Sequence, residues 1–147
     1  MAETVDETTP VPALVRGLTT VVFPVADFDG AKAWYSDVLG VAPYMDTPAY
    51  AEFRIGDYQH EFGLLNAPLS GGFAQAPAGH GGAIVYWHVD DVEGTLALLL
   101  AKGARPHQAP RDFGRGFVGA SVIDPFGHIL AVMHNPHYLK VHAARAA

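Results

Sequence analysis

One structural unit occurs twice in this chain, and this internal repeat constrains the fold more than any other feature of the sequence. In the second copy, a β-branched and aromatic run over residues 83–89 leads into an apolar helical run over residues 92–102. In the first copy, a strand pattern over residues 18–25 leads into a helical run that ends at Gly40. Matching residues of the two strand–helix segments are 64 positions apart. The repeat predicts a duplicated architecture.

Each copy continues with three strand candidates. They cover residues 42–45, 50–55 and 60–65 in the first copy and residues 104–108, 117–123 and 128–133 in the second. Each copy therefore has the order βαβββ, and neither could bury both faces of its sheet alone. The predicted fold is α+β, with paired βαβββ modules forming an eight-stranded curved sheet that has its helices outside and a concave inner face.

The sequence predicts a single domain with two tails. The predicted boundaries are a flexible N-terminal tail at 1–16, a domain at 17–137 with modules at about 18–66 and 83–136, a linker at 67–82, and a C-terminal tail at 138–147. The C-terminal tail forms either a short helix or a frayed end. A chain of 147 residues has room for one compact domain.

Composition excludes several classes of function. The formal charge of −6 argues against binding to nucleic acid, which requires clustered Lys and Arg. No apolar run approaches the ~18 residues that span a bilayer, and the acidic N-terminus does not resemble a signal peptide. The prediction is a cytoplasmic protein without a membrane partner. The absence of cysteine excludes disulfides, thiolate metal sites and cysteine nucleophiles.

Several short motifs carry a resemblance to a known superfamily. They are Val25-Ala-Asp27, Ala33-Trp-Tyr35, Val38-Leu-Gly40, Val89-Asp-Asp91, Asp124-Pro-Phe-Gly127 and Asn135-Pro136. In these motifs the chain resembles, over roughly residues 18–136, the vicinal oxygen chelate superfamily, the glyoxalase, bleomycin-resistance and extradiol-dioxygenase group. The resemblance is specific for the fold. It is weak for chemistry, because the superfamily includes isomerases, lyases, dioxygenases, thiol transferases and non-catalytic drug binders.

In enzymes of the superfamily that the chain resembles, the first and last strands of each module hold a divalent metal ion. The resemblance places these positions at Thr20 and Ile84 in the first strands and at Phe62 and Ala131 in the last strands. A divalent ion needs oxygen or imidazole donors that converge on one point, and these four residues supply at most one weak hydroxyl. The sequence therefore predicts no metal site and no other cofactor.

The position of Phe62 depends on the register of the last strands. Asn66 and Asn135, which are 69 residues apart, serve as register marks and align Phe62 with Ala131. A slip of one residue would put Glu61 in place of Phe62. One carboxylate without the other ligands would still not form a strong site.

Strand periodicity predicts which side chains face the concave side of the sheet. They are Thr20, Val22, Phe62, Leu64, Ile84, Tyr86, His88, Ile129, Ala131 and Met133. Phe113 and Phe117 belong to a predicted hairpin loop, which is either an ordinary hairpin tip or a mobile loop at the mouth where Phe113 or Phe117 is able to cover a ligand. This apolar and aromatic lining is typical of a small-molecule pocket, although a filled core has a similar composition. The concave architecture that the resemblance implies favours the pocket.

Three hypotheses of function follow. The first is a metal-free protein that binds a small apolar or aromatic molecule, like the drug-binding or resistance members that the sequence resembles, which are usually homodimers. The second is a lyase, isomerase or hydrolase in which His88 is the general acid or base and Tyr86 or Thr20 orients the substrate. The third is a metal-dependent glyoxalase or dioxygenase with a displaced site at His60, Glu61 and His88. The sequence leaves open whether the protein is an enzyme.

Overall fold

Two four-stranded sheets and three α-helices make up the fold. The computed structural model describes residues 8–11, 14, 16–72 and 74–146, and these numbers of strands and helices are those of the described residues. Most of the predicted N-terminal tail at 1–16 lies outside the described residues. In the described part of the chain, no helix is long and apolar enough to cross a membrane.

The first module has the predicted βαβββ order. It comprises β1 (Thr20–Val25), α1 (Phe28–Leu39), β2 (Met45–Asp46), β3 (Tyr50–Ile55) and β4 (His60–Asn66), followed by a 3-10 turn (Ala67–Leu69). The strand order is β1-β4-β3-β2, with β1 parallel to β4. Strand β1 lies at the sheet edge, as expected for a strand that contains Pro24 and so lacks one ladder donor.

The second module repeats this topology. It comprises β5 (Tyr86–His88), α2 (Val92–Ala101), β6 (Arg105–Gly114), β7 (Phe117–Ile123) and β8 (Ile129–His134), in the order β5-β8-β7-β6 with β5 parallel to β8. Strand β5 is shorter than predicted and β6 is longer. The sequence left open whether the C-terminal tail forms a helix or a frayed end. In the structure it forms α3 (Pro136–Ala146). The duplicated βαβββ architecture is confirmed.

The two module helices begin with the same local structure. The Asp27 carboxylate accepts a hydrogen bond from the Gly30 amide at 3.0 Å, and that of Asp91 accepts one from the Gly94 amide at 2.9 Å. A Cβ atom at Gly30 or Gly94 would lie 2.2 or 2.3 Å from a carboxylate oxygen of its own cap. A larger residue at either position would therefore force the capping carboxylate to shift.

The two modules share one hydrophobic core on the helix side of the sheets. The Phe62 and Trp87 rings pack edge to face with their centroids 5.1 Å apart, and Phe23 stacks on the His128 ring at 4.2 Å. The Tyr35 hydroxyl of α1 also donates to the buried carboxylate of Asp124 in the second module. These contacts join the modules into one packing unit.

The predicted register of the last strands was wrong by one residue. Pro24 pairs with Leu65, and its repeat equivalent His88 pairs with Met133. Equivalent residues of β4 and β8 are therefore 68 positions apart rather than 69. Because side chains alternate between the faces of a strand, this single step moves the residues of β4 to the opposite face.

The shift corrects the predicted positions of Phe62 and Leu64. Both side chains lie in the helix-side core, with 1% and 0% of their surface exposed, rather than on the opposite face, which we call the concave face. Glu61 and Gly63, which pair with Thr20 and Val22 across β1 and β4, take the concave positions instead, and Gly63 is the residue equivalent to Ala131. The concave face of the first module is therefore more polar than the sequence predicted.

Candidate functional site

A cavity of about 460 Å³ lies where the edge strands β1 and β5 of the two sheets approach each other. Its lining residues are Leu18, Thr19, Val21, Leu39, Val41, Arg54, Ile55, Gly56, His60, Glu61, Phe62, Val85, Tyr86, Trp87, His88 and Tyr138. Both modules and α3 contribute to this wall. A second, shallower depression of about 670 Å³ lies next to the N-terminus of α1, away from these residues.

His88 is held by contacts with the C-terminal segment. Its side chain is 11% exposed, and its Nδ1 atom accepts a hydrogen bond from the Asn135 amide at 3.0 Å. Its ring stacks on the Tyr138 ring with the centroids 4.7 Å apart. The Nε2 atom is buried without a hydrogen-bond partner, and an oxygen of the exposed Asp90 carboxylate lies 3.4 Å away outside hydrogen-bond geometry.

Tyr138 connects α3 to the first module. Its hydroxyl donates to the Asp57 carboxylate at 2.7 Å, in the turn between β3 and β4. Burial and this hydrogen bond raise the pKa of Tyr138 to about 12. The Tyr138 ring also packs against Tyr58 with the centroids 5.7 Å apart. Tyr138 thus spans both modules and forms part of the cavity wall.

Tyrosine and carboxylate side chains form a network on the concave face of the first module. The hydroxyls of Tyr44 and Tyr50 both donate to the Glu52 carboxylate, and that of Tyr44 also lies 3.0 Å from an oxygen of Glu61. The Arg54 guanidinium lies over the Tyr44 ring at 3.9 Å and 4.0 Å from the Glu61 carboxylate. Glu61 and Arg54 extend this network to the cavity.

Hydrogen bonding sets the protonation states in this network. Burial alone would raise the pKa of the Glu52 carboxyl, but the hydrogen bonds from Tyr44 and Tyr50 outweigh it, so the pKa lies below the ordinary value. The hydrogen bond to Glu52 is the main reason why the pKa of Tyr44 rises to about 12. Burial and the same carboxylate raise the pKa of Tyr50. Glu52 is therefore an ionised acceptor at neutral pH.

Gly63 makes room for this network. A Cβ atom at Gly63 would lie 2.1 Å from the hydroxyl oxygen of Tyr50, closer than any real contact. Gly63 pairs with both Val22 and Glu52, so it lies in the middle of the sheet below the Tyr50 ring. The glycine lets the Tyr50 hydroxyl reach Glu52 across the concave face.

Glu52→Gln is expected to reduce the acid sensitivity of the fold. The pKa of Glu52 is lower in the folded state than in the unfolded state, so its ionisation stabilises the fold above the unfolded pKa of about 4.3. This contribution is lost as the pH falls through the folded pKa. Urea unfolding between pH 7 and pH 3 should therefore show a smaller loss of stability in the variant than in the wild type. Glu93→Gln, at an exposed position of α2, is the control, and an unchanged pH dependence in Glu52→Gln would contradict the assignment.

The structure places three of the predicted site residues in one cavity wall. His88, Tyr86 and Phe62 all line it, although Phe62 is turned into the core and only borders the cavity. Thr20 lies beside this wall, with its hydroxyl 3.4 Å from an oxygen of Glu61. Ile84 precedes β5 and is 45% exposed.

The remaining predicted site residues lie on the second sheet. Ala131 and Met133 pair with Tyr86 and His88 across β5 and β8. Phe113 is 49% exposed, and a Cβ atom at Gly119 would lie 2.9 Å from its ring. Phe117 is half-buried at the start of β7, and the predicted hairpin loop is instead the tight turn between β6 and β7. These four residues are not part of the cavity wall.

The donor set does not fit the divalent ion of the superfamily. Thr20 and Glu61 supply oxygen atoms in the first module, but Ile84 and Ala131 supply no donor in the second. The Glu61 carboxylate already contacts Thr20, Tyr44 and Arg54. Among the described residues, His60, Glu61 and His88 line one cavity, but no three His, Asp or Glu side chains come together as a group that could hold a metal ion.

Sequence reasoning missed several residues of the cavity wall. Arg54 and Trp87 fall on strands whose faces were assigned from periodicity alone, and Tyr138 was placed in a tail. A helical pattern after Pro136 was the available signal for Tyr138, because proline is common at the first position of a helix. No local signal indicates that α3 packs against β5. The hydrogen bond that joins them runs from Asn135, just before α3, to His88, which is 47 positions away.

Comparison with known families identifies the class of protein. The model of the Glyoxalase/Bleomycin resistance protein/Dioxygenase superfamily matches residues 17–132. The chain therefore belongs to this superfamily, as its sequence motifs indicated. Curated proteins give no match to the chain.

Solved structures show the same fold at low sequence identity. A glyoxalase-related enzyme from Fulvimarina pelagi aligns with a TM-score of 0.67 and 16% identity, over 83% of this chain and 90% of that chain. Lactoylglutathione lyase from Agrobacterium tumefaciens aligns with a TM-score of 0.65 and 19% identity, over 82% and 95%. A glyoxalase/bleomycin resistance protein/dioxygenase family enzyme from Burkholderia phytofirmans PsJN aligns with a TM-score of 0.63 and 17% identity, over 79% and 96%. At these identities the likeness shows the fold alone.

Proposed function

We propose that this protein binds a small apolar or aromatic molecule in the cavity between its two modules, without a metal ion. The observation that carries this proposal is the cavity of about 460 Å³ with aromatic and aliphatic walls and few polar groups. This size and composition are typical of sites that bury a small organic ligand. Trp87, Tyr86 and Tyr138 supply flat surfaces on which an aromatic ring packs favourably.

The charged groups of the wall favour an uncharged ligand. Arg54 and Glu61 lie 4.0 Å apart and largely balance each other. A ligand with a net charge would need a further counter-ion in the cavity, because burying an unpaired charge is costly. Binding of this kind needs only affinity and exclusion of water, so it agrees with the superfamily's drug-binding and resistance members that the sequence resembles.

The second candidate is an enzyme that uses His88 as a general acid or base. The unpartnered Nε2 atom of His88 favours it, because a buried nitrogen without a hydrogen bond is available for proton exchange with a ligand. However, Nδ1 accepts the Asn135 amide, so the neutral ring carries its proton on Nε2. In this tautomer His88 donates a hydrogen bond and cannot accept a proton through Nε2.

The proposal includes a cytoplasmic homodimer. Apolar side chains on and near the concave faces, such as Val22, Ile84 and Phe113, are between 41% and 49% exposed in the single chain. Exposed apolar groups of this kind are common where a second subunit packs. Sedimentation of the purified protein tests this part, and a monomer at all concentrations would contradict it.

Filling the cavity is expected to weaken ligand binding. Val85 lines the cavity, and Val85→Phe inserts a ring into its wall. The added ring occupies space that the ligand would fill, so the dissociation constant of 2-ethylnaphthalene should rise by roughly tenfold or more, which is about 1.4 kcal/mol of binding free energy. The measurement is titration calorimetry of the wild type and the variant.

Val11→Phe makes the same change at a position that is 85% exposed, and this control should bind like the wild type. Failure of the wild type to bind, or equal affinity in Val85→Phe, would contradict the proposed site. The titrated samples should also be analysed for products. Conversion of the bound compound, lost in His88→Ala, would establish the enzyme in place of the binder.

A further inference from the structure

Side-chain contacts with His88, Asp57 and Tyr58 attach α3 to the rest of the molecule. The Tyr58 ring packs against the rings of Tyr138 and His142, and the Arg145 guanidinium lies over it. None of the described side chains of α3 is buried, although Tyr138 forms part of the cavity wall. The hydrogen bond from the Asn135 amide to His88 Nδ1 fixes the start of the helix at 3.0 Å. The Tyr138 ring stacks on His88 with an interplanar angle of 13°, and its hydroxyl bonds to Asp57. His88 therefore makes two of the contacts that hold α3.

The hydrogen bond to Asn135 requires a neutral His88 ring. An imidazole nitrogen accepts a hydrogen bond only through its lone pair, and both nitrogens of a protonated ring are donors. Protonation would therefore place the N–H of Nδ1 against the N–H of Asn135, where the two atoms are now 3.0 Å apart. Two donors cannot share this contact, so the ring or the start of α3 must move.

The charged and titratable groups around His88 come from every neighbouring element. The second module and α3 contribute Asp90 after β5, His134 of β8, and Tyr138 and His142 of α3. The first module contributes Asp57 and Tyr58 of the turn between β3 and β4 and His60 at the start of β4. Arg54 and Glu61 lie across the cavity. The carboxylate of the exposed Asp90 side chain lies 3.4 Å from Nε2. It cannot replace the lost acceptor at Nδ1. The His134 ring, with its centroid 5.6 Å away, would repel the protonated ring when it is itself charged.

We propose that α3 is a proton-operated gate of the cavity. At neutral pH the His88 ring accepts the Asn135 amide and holds α3 against the cavity. When the ring becomes protonated at lower pH, Nδ1 no longer accepts this hydrogen bond, so the start of α3 is released and Tyr138 leaves the wall. An isolated helix of 11 residues is marginally stable in water, so the released segment also loses its helical structure. The cavity then opens towards the solvent.

Amide hydrogen exchange of the full-length, ¹⁵N-labelled protein between pH 8 and pH 5 tests this gate. The protection factors of the α3 amides, corrected for the intrinsic effect of pH, should fall by about tenfold or more on acidification, because α3 loses the partly buried hydrogen bond at its start. The amide of Val122 in β7 should keep its protection, because β7 belongs to the core. The ¹⁵N shifts of the His88 ring should show an unprotonated Nδ1 at pH 8 and titrate together with the loss of protection.

His88→Asn is the decisive variant. An Asn side chain offers a carbonyl oxygen close to the position of Nδ1 and does not titrate in this range. Its α3 amides should stay protected at pH 5. His107→Asn is the control. It removes a histidine that bonds to Ser121 near the opposite edge of the second sheet, so α3 should still lose its protection at pH 5 in this variant.

Three results would overturn the gate. They are constant protection of α3 in the wild type, an unchanged pH response in His88→Asn, and simultaneous loss of protection at Val122. If α3 is unprotected in His88→Asn even at pH 8, the ¹⁵N chemical shifts of the His88 ring in the wild type decide whether His88 controls the release. A ring that titrates at a different pH from the release of α3 would then exclude His88 as the cause.

Discussion

Phe62→Ala is expected to lower the free energy of unfolding by about 3–5 kcal/mol, the usual cost of removing a fully buried phenylalanine. The Phe62 ring is 1% exposed and packs against aromatic rings from both modules. Its partners are Phe23, Tyr35, Phe53 and Trp87, with centroids between 4.8 and 6.1 Å away. The loss is large against a typical domain stability of about 5–15 kcal/mol. Urea unfolding at pH 7 measures it.

The matched control is Phe113→Ala, which removes the same side chain at a position that is 49% exposed. Its effect on the free energy of unfolding should be much smaller. If both variants lost the same stability, Phe62 would not be a core residue. A stable Phe62→Ala protein that had lost only ligand affinity would instead restore the original assignment of Phe62 to the ligand site.

Tyr35→Phe is expected to destabilise the protein by about 1–3 kcal/mol, because it leaves a buried carboxylate without one of its donors. The Tyr35 hydroxyl donates to Asp124, and both residues are almost fully buried. Burial and the neighbouring carboxylate raise the pKa of Tyr35 well above its ordinary value, so the hydroxyl is protonated and donates at neutral pH. Thermal and urea unfolding of the variant measure the loss.

Tyr138→Phe removes the same atom from a tyrosine whose partner, Asp57, is exposed, and it serves as the control. Its effect should be small, because an exposed carboxylate recovers its hydrogen bond from water. Equal unfolding free energies for Tyr35→Phe and the wild type would show that backbone donors alone satisfy Asp124. Those donors are the amides of Phe126 and His128, at 2.9 and 2.8 Å.

Local sequence signals were sufficient to predict the modules. The capping aspartates, Asp27 and Asp91, each lie before a helix and three residues before a glycine, and these local signals depend on neighbouring atoms only. Strand β3 was predicted with its observed boundaries, as was β7, because β-branched and aromatic residues bounded by turns have few alternatives. The order βαβββ then followed from the repeat.

The candidate site was harder to predict, because it depends on relations between distant segments. The two asparagines used as register marks are not equivalent in the structure, and this error of one residue assigned Phe62 and Leu64 to the concave face, where Glu61 and Gly63 lie. Strand periodicity gives two faces but does not say which one the helices cover. The contact of Tyr138 with His88 joins α3 to β5, and no residue near either one encodes it.

The contacts between the modules also govern how the chain folds as it is synthesised. The Pro24 carbonyl contacts His128 Nε2 at 2.7 Å, across 104 residues of sequence, and Tyr35 finds Asp124 only 89 residues later. A ribosome adds about 5–20 residues per second, so the first module waits several seconds with part of its aromatic core exposed. The N-terminal half therefore cannot complete its packing until the end of the second module has been synthesised.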